Sequence, residues 1–502
     1  TIKRYNLIGI WAHMIQTSNK FDIFIRKNIT QFILKLILLI VPNLLVLAIV
    51  YPGFIQADHQ NTIAYITNGR FDEWHSLLWG FFAYPFLYLS GSIAVYGIVQ
   101  IAIFAISIQY SLHTLQKIDI LSNRSTWILT CIFALSPTFL MYNELYSSDV
   151  IFSILLTPLT TMLIYIWKTK GKILSQIPFT ISLTLLFYII FELRKNAALI
   201  IIFGFAFLFF LFKKYRKQSF LMLIGCVGLI LCTSLFNTYV LQTTKSPSQE
   251  LLSVPVQQIG RAFADGGKIP DEAKKTLEKI RPLSEWKTDY RPENSDYLKF
   301  NNKHPDKEKV TLTPAFIKAW ATIGVNNPRS YVKAYVDLMY PYWQLGATRS
   351  TTLIYVDFAN HDNYTVTACA NACNTNYIKQ FDMKNTTWQD RFSRAELIID
   401  GLHIPLLTDL ADFIFFNRAL PLWIFIIGLI ISLKKKVTRY YLLVSLPLWC
   451  ILLSLLAFSP VACFRYALQM YYLMPLLVSY LVFISKRNKM PNENVAQEHT
   501  TI

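Results

Sequence analysis

The chain has 502 residues, of which 54% are hydrophobic, 15% aromatic and only 16% charged, whereas soluble domains carry about a quarter charged residues. A mean hydropathy of +0.37 excludes an ordinary soluble protein and points to a multi-pass membrane protein. The formal net charge of +18 comes with no recognisable RNA- or DNA-binding module. Much of it sits in short tracts such as "FKKYRKQ" and "LKKKVTR" between apolar runs, where basic loops set orientation and meet anionic lipid.

In chain order, apolar runs of the length a bilayer requires predict ten spans near 31–51, 92–113, 126–142, 150–167, 176–192, 197–212, 219–242, 418–433, 440–458 and 466–485. The first begins too far along the chain, and is too long, to be a cleavable signal peptide. With the N-terminus inside, the inner loops and the C-terminal tail hold basic residues such as Lys117, Lys168, Lys213, Lys214, Lys434, Lys435 and Lys436, while the short outer pieces hold only Arg70, Arg194, Lys195 and Arg465. That asymmetry places both termini in the cytoplasm. Residues 76–91 are apolar enough for a further span, but counting them would reverse every later basic loop. They are expected instead to form a helix at the outer membrane surface, with Trp79, Tyr84 and Tyr88 at the interface.

The expected architecture is an all-α polytopic membrane protein with three regions and a tail. Residues 1–242 form an N-terminal transmembrane module whose first outer loop is 52–91. Residues 243–417 form a mainly helical extracytoplasmic domain, 418–485 the last spans, and 486–502 a cytoplasmic tail. Within the polar segment, "PDEAKKTLEKI" starts a helix at Pro270, and "TPAFIKAWATIGVNNPRSYVKAYVDLMYPYW" reads as two amphipathic helices broken at Asn327-Pro328. Cys131, Cys226, Cys232 and Cys450 fall in spans and read as small apolar fillers. Cys369 and Cys373, in "TACANACNT", are placed so that an oxidising compartment permits a small-loop disulfide. No partner motif makes them half of a metal site. Asn363 and Asn385 begin glycosylation-type tripeptides, a pattern too short to carry an assignment alone.

The chemistry gathers on the outer side. Asp58 and His59 follow the first span in "VYPGFIQADHQNTIAYITNGRFDEWHSLLWGFF", which also supplies Arg70, Asp72, Glu73, Trp74 and His75. Glu144 and Asp149 lie between the third and fourth spans, Glu192, Arg194 and Lys195 between the fifth and sixth, and Arg465 and Tyr466 at the mouth of the last. Each alone reads equally well as a loop residue in water, and Pro52-Gly53 as a span-ending turn. As a set they mark a site, because charge beside the hydrocarbon is costly. Carboxylates can take a proton from a hydroxyl, and Arg and Lys can hold a phosphate. A substrate with a phosphate head and an isoprenoid tail suits such a mouth.

The segments "YPGFIQADHQNTI" and "DEWHSLLWGFFAYPFLYLSGS" resemble the first outer loop of the GT-C superfamily, polytopic glycosyltransferases that use polyprenyl-phosphate sugars. Further similarity, to a bacterial envelope branch, lies in "SSDVIFSILL", "LRKNAALI", "VPVQQIGRAFADGG" with "DYRPENSDYLKF", "NNPRSYVKAY" and "FRYALQMYYLMPLL". The resemblance implies a transferase in the bacterial cytoplasmic membrane that moves a sugar from undecaprenyl phosphate to an envelope glycan, such as an O-antigen or a teichoic acid, with inversion. It implies Asp58 as catalytic base, with Asp72 and Glu73 as competitors, and Asp149 as a second acid or acceptor-orienting group. Arg465 and Arg194, with Lys195 behind them, would stabilise the leaving phosphate, and Trp74 and His75 would line the sugar pocket. His59, Arg70, Glu144, Glu192 and Tyr466 complete the substrate-binding candidates. No metal motif stands out, and a divalent cation is left open. Two other readings stay open: a polysaccharide polymerase acting on lipid-diphosphate oligosaccharides, which would depend more on the outer arginines than on Asp58, and a flippase, which predicts interrupted helices and inverted repeats that the sequence does not clearly display.

Overall fold

The computed structural model describes residues 29–346 and 410–486, apart from 50, 56, 247, 301, 302, 411 and 412. The expectations for both termini, for Cys369 and Cys373, for Asn363 and Asn385, and for most of 347–417 lie outside these residues. The fold is mainly helical. Helix α1 (Ile29–Ile49) is followed by the turn at Pro52-Gly53, the short strand β1 (Phe54–Ile55), α2 (Ala57–Thr67), α3 (Leu77–Ser90) and α4 (Ala94–Lys117). Next come α5 (Asn123–Leu135), α6 (Pro137–Tyr142), β2 (Leu145–Tyr146), α7 (Ser148–Lys168), α8 (Ile177–Leu193), α9 (Ala198–Leu211) and α10 (Arg216–Tyr239). The polar insert holds α11 (Ser253–Ala264), α12 (Asp271–Ile280), α13 (Glu285–Thr288), α14 (Asp296–Lys299), α15 (Pro314–Asn326) and α16 (Pro328–Met339). The C-terminal region holds α17 (Leu420–Lys434), α18 (Thr438–Val444), α19 (Leu446–Phe458), α20 (Phe464–Tyr471) and α21 (Met474–Lys486).

Where described, every apolar segment expected to span is helical, but among the described residues four helices are long and apolar enough to cross a membrane alone: Ile29–Ile49, Ala94–Lys117, Ser148–Lys168 and Lys213–Tyr239. The number becomes six if two bent pairs each count as one span, α18 with α19 (73°) and α20 with α21 (40°). These bends correct the sequence reading, which saw no clear helix interruptions. Pro447 and Pro475 lie just beyond the two breaks, where each proline removes a backbone donor and crowds the preceding turn. The stretch 126–142 is likewise not one helix. Ser136 is extended because Pro137 disfavours the α conformation in the residue before it.

Helix α7 is the centre of the membrane region. It is apolar on all sides, with Val150, Phe152, Ile154, Leu156 and Leu159 fully buried, as a helix enclosed by others must be. It packs against α4, α8, α18 and α20. By contrast, α1 and α10 leave most of their apolar surface uncovered, the face that lipid would take. Helix α3 is a separate element, as expected: the Ser76 hydroxyl accepts from the Trp79 amide at its start, and Gly91, with φ 71°, closes it. That left-handed geometry favours glycine. Tyr84 and Tyr88 stack at 5.8 Å, and Tyr88 is exposed. Trp79 corrects its expected place at the interface. It is 1% exposed, and its indole N–H donates to Tyr96 Oη at 2.7 Å.

The all-helical expectation misses one small element that matters. β1 and β2 pair in parallel, Phe54 with Leu145 and Ile55 with Tyr146. The pair fastens the loop after α1 to the loop before α7. Tyr146 then passes between two glycines: a Cβ on Gly53 or on Gly97 would lie 2.0 or 2.2 Å from its hydroxyl oxygen. Its hydroxyl donates to the Pro52 carbonyl at 2.9 Å.

The insert has its own core, built around Val256, Ile259, Leu277, Trp286, Leu298 and Ile323, separate from the membrane cluster. It docks on the end of α19. Both the amide and the hydroxyl of Ser295 donate to Pro460 O, at 2.9 and 3.0 Å, and Tyr335 Oη donates to Leu456 O at 3.1 Å. Helices α15 and α16 break at Asn327-Pro328, as the sequence predicts.

Candidate functional site

The site forms where the starts of α2, α7 and α20 meet the end of α8. Asp149 sits in the first turn of α7, behind a Ser147 cap whose hydroxyl accepts from the Val150 amide, and a carboxylate is favoured at a helix N-terminus. Arg194 follows the last residue of α8, where a cation is favoured for the converse reason. The two form a direct ion pair. Arg465 lies in the first turn of α20, the unfavourable end for a cation. There it approaches the other oxygen of Asp149 at 3.6 Å and donates to Tyr466 Oη at 3.2 Å. Both guanidinium groups lie over the Tyr466 ring, at 5.6 and 5.1 Å. One buried carboxylate thus gathers two arginines from distant regions of the chain.

His59, on α2, is fixed from the same direction. The Ser148 amide donates to its Nε2 at 2.8 Å, and the Ser148 hydroxyl lies 2.9 Å from the same atom. Because Nε2 accepts, the ring proton is assigned to Nδ1. His59 Nδ1 is buried and meets no hydrogen-bond partner among the described residues. Trp79 packs edge-on against the ring at 4.5 Å. Burial pushes the imidazole pKa down from 6.5 to about 3, against the opposing pull of Asp149, so His59 is neutral at pH 7. Asp58, half-buried in the first turn of α2, acts electrostatically on both His59 and Asp149.

A depressed histidine pKa makes folding pH-dependent. Between about 3 and 6.5 the unfolded chain binds the proton that the folded chain refuses, so this contribution is complete above pH 6.5 and is lost as pH falls. The loss is expected to reach at most about 1.4 kcal/mol per pH unit. Melting of the detergent-solubilised protein should drop from pH 7 to 4.5, and His59→Gln should flatten that dependence. A variant with the wild-type slope would remove His59 as its source.

His75 lies 6.1 Å from His59, ring to ring, and Trp74 stacks on His75 at 5.1 Å. Trp74 also meets Phe300 of the insert at 6.1 Å. Glu192 pairs with Lys195 at 2.6 Å, and its carbonyl accepts from the Ser76 hydroxyl, which fastens α8 to α3. Four other candidates lie elsewhere or do other work. Arg70 is exposed beyond the end of α2, outside this cluster of contacts. Asp72 accepts from the Trp74 amide within its own turn, and Glu73 accepts from the Thr243 hydroxyl at 3.0 Å, so both secure the loop. Glu144 is wholly buried, and both its carboxyl oxygens lack a hydrogen-bond partner among the described residues. Burial raises its pKa well above the usual carboxylate range, and the enclosed side chain faces the protein interior rather than a substrate.

Sequence reasoning missed the support behind this cluster. From Trp79 the hydrogen bonds run through Tyr96 to Gln100 Oε1. The Gln100 amide donates to Asn143 O at 2.7 Å, and the Asn143 side chain joins Asn43 and Tyr472 at 2.9 and 2.7 Å. The signal that could have found it was Gln100 and Asn43, amides inside apolar runs, where polar side chains are costly unless paired. Among the described residues no three His, Cys, Asp or Glu side chains converge as a metal site requires.

Residues 29–497 match the DUF6020 family, described as a family of unknown function. No curated protein and no solved structure matches the chain.

Proposed function

We propose that this chain, which belongs to the DUF6020 family, is an integral-membrane glycosyltransferase of the GT-C type. In this reading the ten apolar segments cross a bacterial cytoplasmic membrane with both termini inside, and the site opens at the outer face. An undecaprenyl-phosphate sugar is the donor and an envelope glycan the acceptor. The observation that carries the reading is the convergence of Arg194 and Arg465 on Asp149, beside Asp58 and His59.

The division of labour follows from burial. Asp149 is committed to its two arginines and acts as their anchor. Asp58 is the more accessible carboxylate and takes the proton from the acceptor hydroxyl. The acceptor oxygen then bonds to the anomeric carbon as the bond from that carbon to the phosphate oxygen breaks, with inversion. The polyprenyl phosphate leaves with the electron pair. Arg194 and Arg465 meet its growing charge, and the Nδ1–H of His59 supplies a further donor in a site sheltered from water. The polymerase reading draws on the same two arginines. The flippase reading draws on the bent pairs α18–α19 and α20–α21.

The test is mass spectrometry of undecaprenyl-linked lipids and envelope glycan from cells carrying wild type or Asp58→Asn. Loss of the base should slow transfer by about 10²–10⁴-fold, so undecaprenyl-phosphate sugar should accumulate and the glycan should lack one residue. Accumulated diphosphate-linked repeat units with short chains would make the protein a polymerase. An Asp58→Asn protein that folds normally and leaves lipids and glycan unchanged would defeat the transferase reading.

A further inference from the structure

The polar insert carries a half-open pocket of about 350 Å³ beside α14, at the lower end of the size range for small-molecule sites. Two aromatic rings, Tyr297 and Phe300, line its wall, with the amide of Asn294 nearby. Its charged lining balances: Arg281 and Lys303 are matched by Asp289 and Asp296. Both cations are already committed to Asp289, at 3.4 and 2.9 Å, and Asp296 is committed to Lys299 at 2.9 Å. A phosphate or carboxylate ligand would call for surplus positive charge, which this lining lacks. Arg281 is 1% exposed, and its Nε–H finds no partner among the described residues, whereas buried donors are normally satisfied. Aromatic faces for the C–H side of a ring, with the Asn294 amide and the further lone pairs of the Asp289 and Asp296 carboxylates for hydroxyls, form a surface matched to a neutral sugar.

Position adds to composition. Ser295, between Asn294 and Asp296, is bonded to Pro460, five residues before Arg465. Phe300, on the cavity wall, touches Trp74, which stacks on His75. A relay of rings, Phe300 to Trp74 to His75, therefore runs from the cavity wall towards His59. We propose that this cavity binds a neutral sugar ring of the acceptor glycan and holds the chain end near the outer site. The acceptor role rests on the transferase reading; the binding of a neutral sugar does not.

The experiment uses the full-length protein in lipid nanodiscs. Saturation-transfer NMR is recorded with the methyl glycosides of glucose, galactose, rhamnose and N-acetylglucosamine, with glucose 6-phosphate as the charged control. At least one neutral glycoside is expected to bind. Tyr297→Ala should weaken that binding by about tenfold. Tyr297 is 57% exposed, so the change removes a binding face without opening the core. The proposal is overturned if no neutral glycoside binds, if Tyr297→Ala binds unchanged, or if glucose 6-phosphate binds more tightly than the neutral glycosides. Binding that depends on Tyr297, together with unchanged lipids in Asp58→Asn cells, would keep the sugar site and remove the transferase. The expected lipid accumulation without glycoside binding would keep the transferase and remove this cavity from it.

Discussion

Asp149→Ala is expected to destabilise the folded protein by about 3–5 kcal/mol, the cost of stripping the partner from a buried ion pair, and, if the proposed transferase reading holds, to abolish transfer. The side chains of Asp149, Arg194 and Arg465 are only 9%, 19% and 14% exposed. Removing the carboxylate takes away the one charge that both guanidinium groups over the Tyr466 ring approach. Arg465→Ala differs: the Arg194–Asp149 pair survives, so the stability loss should be smaller while turnover still falls by about 10²–10³, as when one donor to a developing oxyanion is removed. Thermal melting in detergent, beside the envelope-glycan assay, separates the two effects. An Asp149→Ala protein that melts with wild type would show that the two arginines do not depend on this carboxylate.

Trp286→Ala is expected to unfold the insert while leaving the membrane helices folded. Trp286 is fully buried, packed against Phe263 at 6.4 Å and beneath the Arg281 guanidinium at 5.3 Å. Deleting so large a core ring costs about 3–5 kcal/mol, a large share of what stabilises a small unit. The two hydrophobic clusters are separate, so the loss should stay local. Hydrogen exchange should rise through α11–α16 and remain slow in α4 and α7. A uniform rise across both would instead mean that the insert and the membrane helices unfold as a single cooperative unit.

Much of this architecture is legible in the chain because it rests on local physics. Apolar runs specify helices that hide their backbone groups from lipid, whatever their neighbours. Asn327-Pro328 breaks α15 from α16 because a proline restricts the residue before it. The same rule acts at Ser136-Pro137, where long apolar flanks gave the impression of one continuous span. The candidate site was legible as a set of charges on one side, since Asp58, His59, Asp149, Arg194 and Arg465 all adjoin the ends of apolar runs.

Local sequence was enough for the helical class, the separateness of α3 and the residue types of the site, because each follows from hydropathy, capping or charge within a few residues. Which charges meet was left to tertiary packing. The two-residue β1–β2 pair is too short for any periodic signal, yet it brings Asp58 and His59 to the start of α7. The enclosure of Glu144, the burial of Trp79 and the use of Glu73 to fasten a loop depend on neighbours distant in the chain. So does the role of Asp149, whose two arginines arrive from α8 and α20. A carboxylate's chemistry is set by its surroundings, through burial and opposing charge, and those surroundings exist only once the chain has folded.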